Sequence, residues 1–398
     1  PVTPAGASPI EFAGLSSANV APITAGYVFL DNPVTINITS IAPVTGQYPL
    51  IKFSNSGGGS VVGLTLGTLP SGVTATLVDD TAGPSQSIYL DVTEVTAPIS
   101  TWTGAASGIW DVNTSLNWTE GGPATKFQNG NIVYFDDSAG QTSVTLDTTV
   151  SPSVVNFVNS AGIDYTVSGT GSIDGFTQLY KTGTGRVTLS NNNTYTGITT
   201  VSAGTLEVRG TLATSSISNS AAVEYNSSSP QTVTYGINGG GSIIKSGNAT
   251  LTLQGNKNFG GGVTVNQGAL HINAGGWYTN PFGQTNTVTV NTGGTLSTAY
   301  AHSLGVDQNT LHINGGTLSL GAENYISNLQ MTGGTVTGGE LRTWGGTMTI
   351  NESPTSAVIA SPFNLVGGAT LSVADGLAAD DLTISGVIFN GNGITKTG

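Results

Sequence analysis

The sequence predicts an all-β chain, a parallel β-helix (β-solenoid) that follows a small β-rich module, and three observations predict it. The first is a duplication. Lys181 to Val208 reads KTGTGRVTLSNNNTYTGITTVSAGTLEV, and Lys245 to Ile272 reads KSGNATLTLQGNKNFGGGVTVNQGALHI, sixty-four residues further on without a gap. Such a fixed internal period is the mark of a repeat architecture. The second is alternation. Val187-Thr-Leu189, Thr199-Thr-Val201, Thr205-Leu-Glu-Val208, Leu251-Thr-Leu253, Val263-Thr-Val265 and Leu270-His-Ile272 put aliphatics on one face and polar residues on the other. That is the two-residue period of a half-buried strand. The third is a recurring corner: Ala203-Gly-Thr-Leu206, Gly293-Gly-Thr-Leu296, Gly315-Gly-Thr-Leu318, Gly333-Gly-Thr-Val336, Gly345-Gly-Thr-Met348 and Gly367-Gly-Ala-Thr-Leu371. Glycine accepts the positive φ of a tight corner. The intervals between these corners suit one coil of a three-strand solenoid, so the long repeat is about three coils.

The elements follow in order. Residues 1–98 hold most of the sixteen prolines and lack the glycine corner, which marks a separate Pro-rich β module. Its strand candidates are Val34 to Thr39, Tyr48 to Phe53, Val73 to Val78 and Ser87 to Val92. Residues 99–124 carry Trp102, Trp110 and Trp118 at equal spacing and form an entry segment. Residues 125–398 form the solenoid, with repeats at 181–208 and 245–272 and the opening of a third at 394–398. Stacking coils lines the inward Leu189, Val201, Leu206, Leu253, Val265 and Leu270 into a continuous core, and backbone groups pair with the coils above and below. Pro1 in place of Met reads as the start of a processed or excised piece.

Composition narrows the function. Only 8% of residues are charged, and 22 acidic against 9 basic residues give a net charge of −13. Nine scattered Lys and Arg cannot neutralise a phosphate track, so nucleic acid is not a partner. No apolar run is long enough for a membrane helix, which leaves no membrane insertion of this segment. With no cysteine, neither disulfides nor a thiolate metal site enters the design.

The repeats resemble the autotransporter-associated β-strand repeat of bacterial surface proteins. Its pattern is met at Lys181, Gly183, Gly185, Val187, Leu189, Asn193, Tyr195, Gly197, Thr199, Val201, Gly204 and Leu206; the second copy departs at Ala249 and Phe259. Residues 102–118 are similar to the segment that opens such solenoids in giant secreted bacterial proteins, and Tyr48 to Phe53 with Leu66 to Asp80 resemble the module that closes a preceding one. The resemblance implies a right-handed passenger-type solenoid, secreted or surface-attached, in a family whose members are mostly adhesins and stalks.

Each chemical candidate has a plainer rival. Trp102, Trp110 and Trp118 either stack on glycans or cap the open end of the core; capping is the expectation. The pairs Asp79-Asp80, Asp136-Asp137 and Asp380-Asp381 either hold calcium or do acid–base work, or else sit in turns; turns are the expectation. His271 and His312, both in Leu-His-Ile-Asn, would line up on one outer face if the coils kept register. Arg186, Arg209 and Arg342 have no Asp at strand spacing. Asn191, Asn192, Asn193, Asn256 and Asn258 are candidates for a stacked amide ladder. No catalytic, cofactor or metal residue is assigned, and no cofactor is expected.

The chain is therefore expected to be a non-enzymatic extracellular structural or adhesive solenoid. It would self-associate end to end, or bind an extracellular glycan or a host or cell-surface partner. Two alternatives stand beside it. A polysaccharide lyase or hydrolase needs three or more charged residues converging in a groove. A glycan-binding module needs at least two of the three tryptophans exposed and coplanar.

Overall fold

A computed structural model describes residues 9–13, 15, 21–25, 34–39, 41, 45–53, 64–70, 72–80, 87–255, 257–274, 287–304, 310–326, 328–343 and 345–397. Among them there is no helix, and stacked parallel strands form a β-solenoid of about 15 turns. The absence of helix follows from composition: Gly, Thr, Ser and Asn oppose it, while Val, Ile and Thr fit a pleated surface. The chain divides into two compact units, one of Pro1–Tyr180, Asn191–Ile198 and Leu212–Thr214, the other of Lys181–Ser190, Thr199–Thr211 and Ser215–Gly398. The boundaries at 98 and 124 fall inside the first.

The first unit opens with two small sheets. One is parallel, with strands Ile10–Phe12, Val34–Ile38 and Leu64–Leu66. In the other, Gly46–Phe53, Ser87–Val95 and Val73–Asp80 run antiparallel, and Ile23–Ala25 adds to Gly46–Phe53 in parallel. Ile36, Ile38, Tyr48, Leu50, Ile88 and Leu90 make their shared core. All four predicted strands of the module lie here. Coiling then begins. Ile132–Phe135 pairs in parallel with Ile99–Trp102 on one side and Val154–Phe157 on the other. The far edge of Ile99–Trp102 is closed by Trp118–Thr119 and Ala124–Thr125, both antiparallel. This pair is the last of the ladder at that edge.

In the second unit one long parallel sheet runs from Arg186–Leu189 through Thr205–Val208, Ala222–Tyr225 and Ser242–Lys245 to Ala369–Val373 and Ile394–Thr397. Its registers are unbroken, so one inward column reads Val187, Leu206, Val223, Ile243, Val263, Val288, Leu311, Leu329, Met348 and Leu371, all buried. The next inward column reads Leu189, Val208, Tyr225, Lys245, Val265, Val290, Ile313, Met331 and Ile350. A second sheet stacks Leu251, Leu270, Leu296, Leu318, Val336 and Ile359 in the same way. Each of the aliphatic and Met side chains in these columns contributes roughly 1.5–3 kcal/mol by leaving water.

The long repeat is close to three coils but not equal to them. Leu206 lies in the long sheet, and three coils later the same column is occupied by Val263 rather than Leu270. Leu270 lies one strand further on, in the second sheet. Leu189 and Leu253 are displaced in the same sense, while Val201 starts in a third sheet and Val265 lies in the long one. All six are buried. Leu189, Leu206, Leu253 and Leu270 stack on aliphatic neighbours in their own sheets, while Val201 stacks on Asn219 and its equivalent Val265 on Val290.

The corners explain the glycines. Gly204 and Gly268 take φ of 66° and 67°. A Cβ would stand 2.3 Å from the Gly185 carbonyl oxygen at Gly204, and 2.4 Å from that of Gly247 at Gly268. Both the dihedral and the approach of the neighbouring coil exclude any larger residue.

Candidate functional site

The aromatic segment is interior. Trp102 and Trp110 are 0% exposed and Trp118 is 1% exposed. Trp102 and Trp118 meet edge to face at 5.1 Å, Trp110 packs on Phe135 at 5.2 Å, and Phe135 stacks on Phe157 at 4.8 Å. The indole of Trp102 donates a hydrogen bond to the Gln141 carbonyl at 2.8 Å. The rings thus stand at the head of the stacked core beside the antiparallel pair that closes its ladder. Glycan stacking needs open ring faces, and the three tryptophans have none. Asn117 secures the turn by accepting from the Ala106 and Ser107 amides and donating to the Ile109 carbonyl.

Charged side chains converge at two places, each built on a Glu–Arg pair two residues apart, Glu207 with Arg209 and Glu340 with Arg342, and extended by groups from neighbouring coils. On the long sheet, Thr188, Glu207 and Glu224 are stacked neighbours in register. Arg186 reaches Glu207 at 3.1 Å and Glu224 at 2.5 Å, and Arg209 reaches Glu207 at 2.6 Å. Burial alone would raise the Glu207 carboxyl, but hydrogen bonds from Arg209, Asn226 and Thr188 outweigh it and hold the group below the usual carboxylate range. The second cluster lies beside the strands Asn324–Tyr325 and Leu341–Thr343. Arg342 binds Glu323 at 2.5 Å and Glu340, and stands 5.6 Å over the Tyr325 ring. His302 stacks on that ring at 5.4 Å and approaches Glu323 at 3.4 Å. Here too burial opposes ionisation, and the bonds from Arg342 and Asn364 keep Glu340 low. Three or more charged groups do converge, as the enzyme alternative requires. Glu207 and Glu340, however, are held as anions by their arginines, and neither can serve as a general acid near neutral pH.

The signal missed in the sequence was register rather than composition. Glu207 and Glu224 are seventeen residues apart, one coil, and become neighbours only when coils stack.

The lysines at the head of each repeat are a third constellation. Lys181 is 0% exposed and Lys245 2%. Lys181 donates to the carbonyls of Gly183 and Ala203, and Lys245 to those of Gly247 and, at 3.0 Å, Gln267. Each therefore ties its own turn to the corner of the next coil, directly before Gly204 or Gly268. Lys257, 2% exposed, binds the Gln254 carbonyl at 2.6 Å. Burial pulls Lys245 and Lys257 down to about 8.

Other candidates are not brought together. His271 faces Thr252 and Ser297 in the second sheet, while His312 faces Thr289 and Gln330 in the long sheet. They share no outer face, because the two Leu-His-Ile-Asn segments are not a whole number of coils apart. Asp136 accepts from the amide and hydroxyl of Ser138, Asp137 from the amide of Ser160, and Asp381 from that of Gly376; these are turn contacts. Among the described residues no group of three or more His, Asp or Glu is placed to hold a metal. The expected ladder is also different. Asn191 donates to the carbonyls of Leu146, Gly169 and Gly171, and Asn193 accepts from the amide of Ile173. Asn256 lies outside the described residues. A side-chain amide ladder does form at Asn266, Asn291 and Asn314, with steps of 2.8 and 3.0 Å.

The passenger-associated-transport-repeat family matches residues 179–208 and 243–272. These are the two duplicated segments, and together with the stacked coils they fit the passenger β-solenoid of an autotransporter. No curated protein and no solved structure matches the chain.

Proposed function

We propose that this chain is a stiff extracellular segment of a bacterial passenger, working in adhesion or in a surface stalk or fibre. The observation that carries the reading is the pair of matched repeats folded into unbroken aliphatic columns, which suits a scaffold whose local geometry must not yield. The outer face supports it. The outward column beside the core of the long sheet reads Thr264, Thr289, His312, Gln330, Thr349 and Ser372. Such a face is polar, weakly charged and regularly spaced, and favours many weak contacts with a glycan or cell surface over one deep pocket. End-on self-association belongs to the same reading.

The test uses the purified 398-residue protein. Labelled protein is expected to bind immobilised bacterial and host-cell surface glycans saturably, without releasing sugar from them. Sedimentation velocity across a concentration series reports end-on association. Release of new reducing or unsaturated sugar ends, abolished by Glu207→Gln or Glu340→Gln, would replace this reading with the hydrolase or lyase alternative.

A further inference from the structure

The third sheet presents a different outer face from the long one. Its first parallel strands, Ile99–Trp102, Ile132–Phe135, Val154–Phe157 and Gln178–Lys181, lie side by side. One outward column reads Ile99, Ile132 and Val154 in register, and Gln178 follows, its amide bonded to the Ser153 carbonyl at 3.2 Å. Ile198 comes next, its carbonyl accepting from the Leu179 amide at 3.0 Å. Ile99 is 56% exposed and Ile198 48%. The neighbouring outward column reads Thr101, Tyr134, Asn156 and Tyr180, all half-buried. The Tyr180 hydroxyl donates to Gln178 Oε1 at 2.5 Å, which holds its ring beside the apolar column. Every residue of both columns belongs to the first unit, and none is charged.

We infer that these columns bind an uncharged, extended β-(1→4)-linked glycan of unsubstituted hexoses, lying along the stack with Tyr134 and Tyr180 under alternate rings. Three arguments select this occupant. The first is spacing. Neighbouring strands stand about 4.8 Å apart, so the two tyrosines, separated by Asn156, lie roughly 10 Å from one another. In such a glycan successive rings are turned over, and alternate rings present the same apolar face a disaccharide apart, which matches that separation. The second is chemistry. A tyrosine offers a flat apolar body with a polar tip, and the exposed isoleucines extend the apolar strip beneath the sugar C–H faces. Asn156 donates through Nδ2 to the Val133 carbonyl at 3.3 Å, and its Oδ1 can accept from a hydroxyl of the intervening ring. The third is charge. Asp136 and Asp137 stand in the turn directly after Phe135, and the net charge is −13. A polyanionic glycan is repelled here, whereas a neutral one is not.

The inference deepens the adhesive reading above but fails separately from it. Glycan capture through the long sheet, or a stalk that binds no sugar, leaves Tyr134 and Tyr180 without effect. Calorimetric titration of the 398-residue protein with cellohexaose is expected to show saturable binding. Tyr134→Ala with Tyr180→Ala should weaken it about tenfold or more at an unchanged thermal midpoint. Tyr134→Phe with Tyr180→Phe keeps both rings and should retain most of the affinity. No binding, unchanged affinity in the alanine pair, or loss of binding in the phenylalanine pair overturns the proposal. So does equal binding of maltohexaose, whose α-linked chain curves away from a straight column. Tighter binding of chitohexaose overturns the choice of an unsubstituted chain. Self-association that the alanine pair abolishes, with no sugar bound, makes a second copy the occupant instead.

Discussion

Lys245 sits in an apolar column between Tyr225 and Val265, and its ammonium group is satisfied by carbonyl oxygens rather than by a carboxylate. The unfolded chain keeps its lysine protons up to about 10.5, while the folded chain releases those of Lys245 and Lys257 near 8. Between these values the unfolded state binds more protons, so stability rises with pH across that window and is flat just below it. Urea midpoints taken from pH 7 to 10 should show the rise, and Lys245→Met with Lys257→Met should flatten it. An unchanged slope in the double variant would exclude these two lysines as its source. The glutamates act in the opposite range. Glu207 and Glu340 titrate below the ordinary 4.5, so they stabilise the fold above that value and the benefit is lost as pH falls through their folded values. Arg186→Ala removes a bridge between Glu207 and Glu224 and should lower the thermal midpoint at pH 7, with a smaller loss at high salt. At the corners, Gly204→Ala should cost more than about 1–2 kcal/mol, since left-handed strain adds to the contact with the Gly185 oxygen.

The strand is the scale at which the columns matter. Leu206→Ala should cost about 2–5 kcal/mol in denaturant unfolding, because the coils above and below hold the space open. Thr349→Ala, on the outward face of the same sheet, should stay within about 0.5 kcal/mol. The alternation that separates these two residues was legible directly, as were the corner glycines, since each follows from local chemistry. Gly204, Gly293, Gly315, Gly333, Gly345 and Gly368 all take positive φ. The Glu207–Arg209 and Glu340–Arg342 pairs, two residues apart, were open to the same local reading, but the partners these clusters draw from other coils and the separation of His271 from His312 were not legible. Both depend on the number of residues per coil, and that number varies: successive members of one inward column, Leu206, Val223, Ile243, Val263 and Val288, are 17, 20, 20 and 25 residues apart. Turns absorb the variation without disturbing the strands, so a reading from spacing alone loses register within a few coils.

At the scale of the molecule, the first unit closes one edge of its parallel ladder with an antiparallel pair beside buried rings. The tryptophan cluster belongs to the first unit, and Trp110→Ala should cost that unit about 3–5 kcal/mol, read as a shift in its intrinsic fluorescence transition. A shift of less than about 1 kcal/mol would show that the rings do not seal the core. The remainder left when the repeat is divided by the coil has its own outcome. The second copy begins one face later than the first, so a feature written once in each is displayed on adjacent sides of the stack. The opening at 394–398 lies in the long sheet again, the face on which the second copy opens. A flat partner lying along that sheet would meet the openings of the second and third copies and miss that of the first, whereas a flexible polymer able to wrap would meet all three.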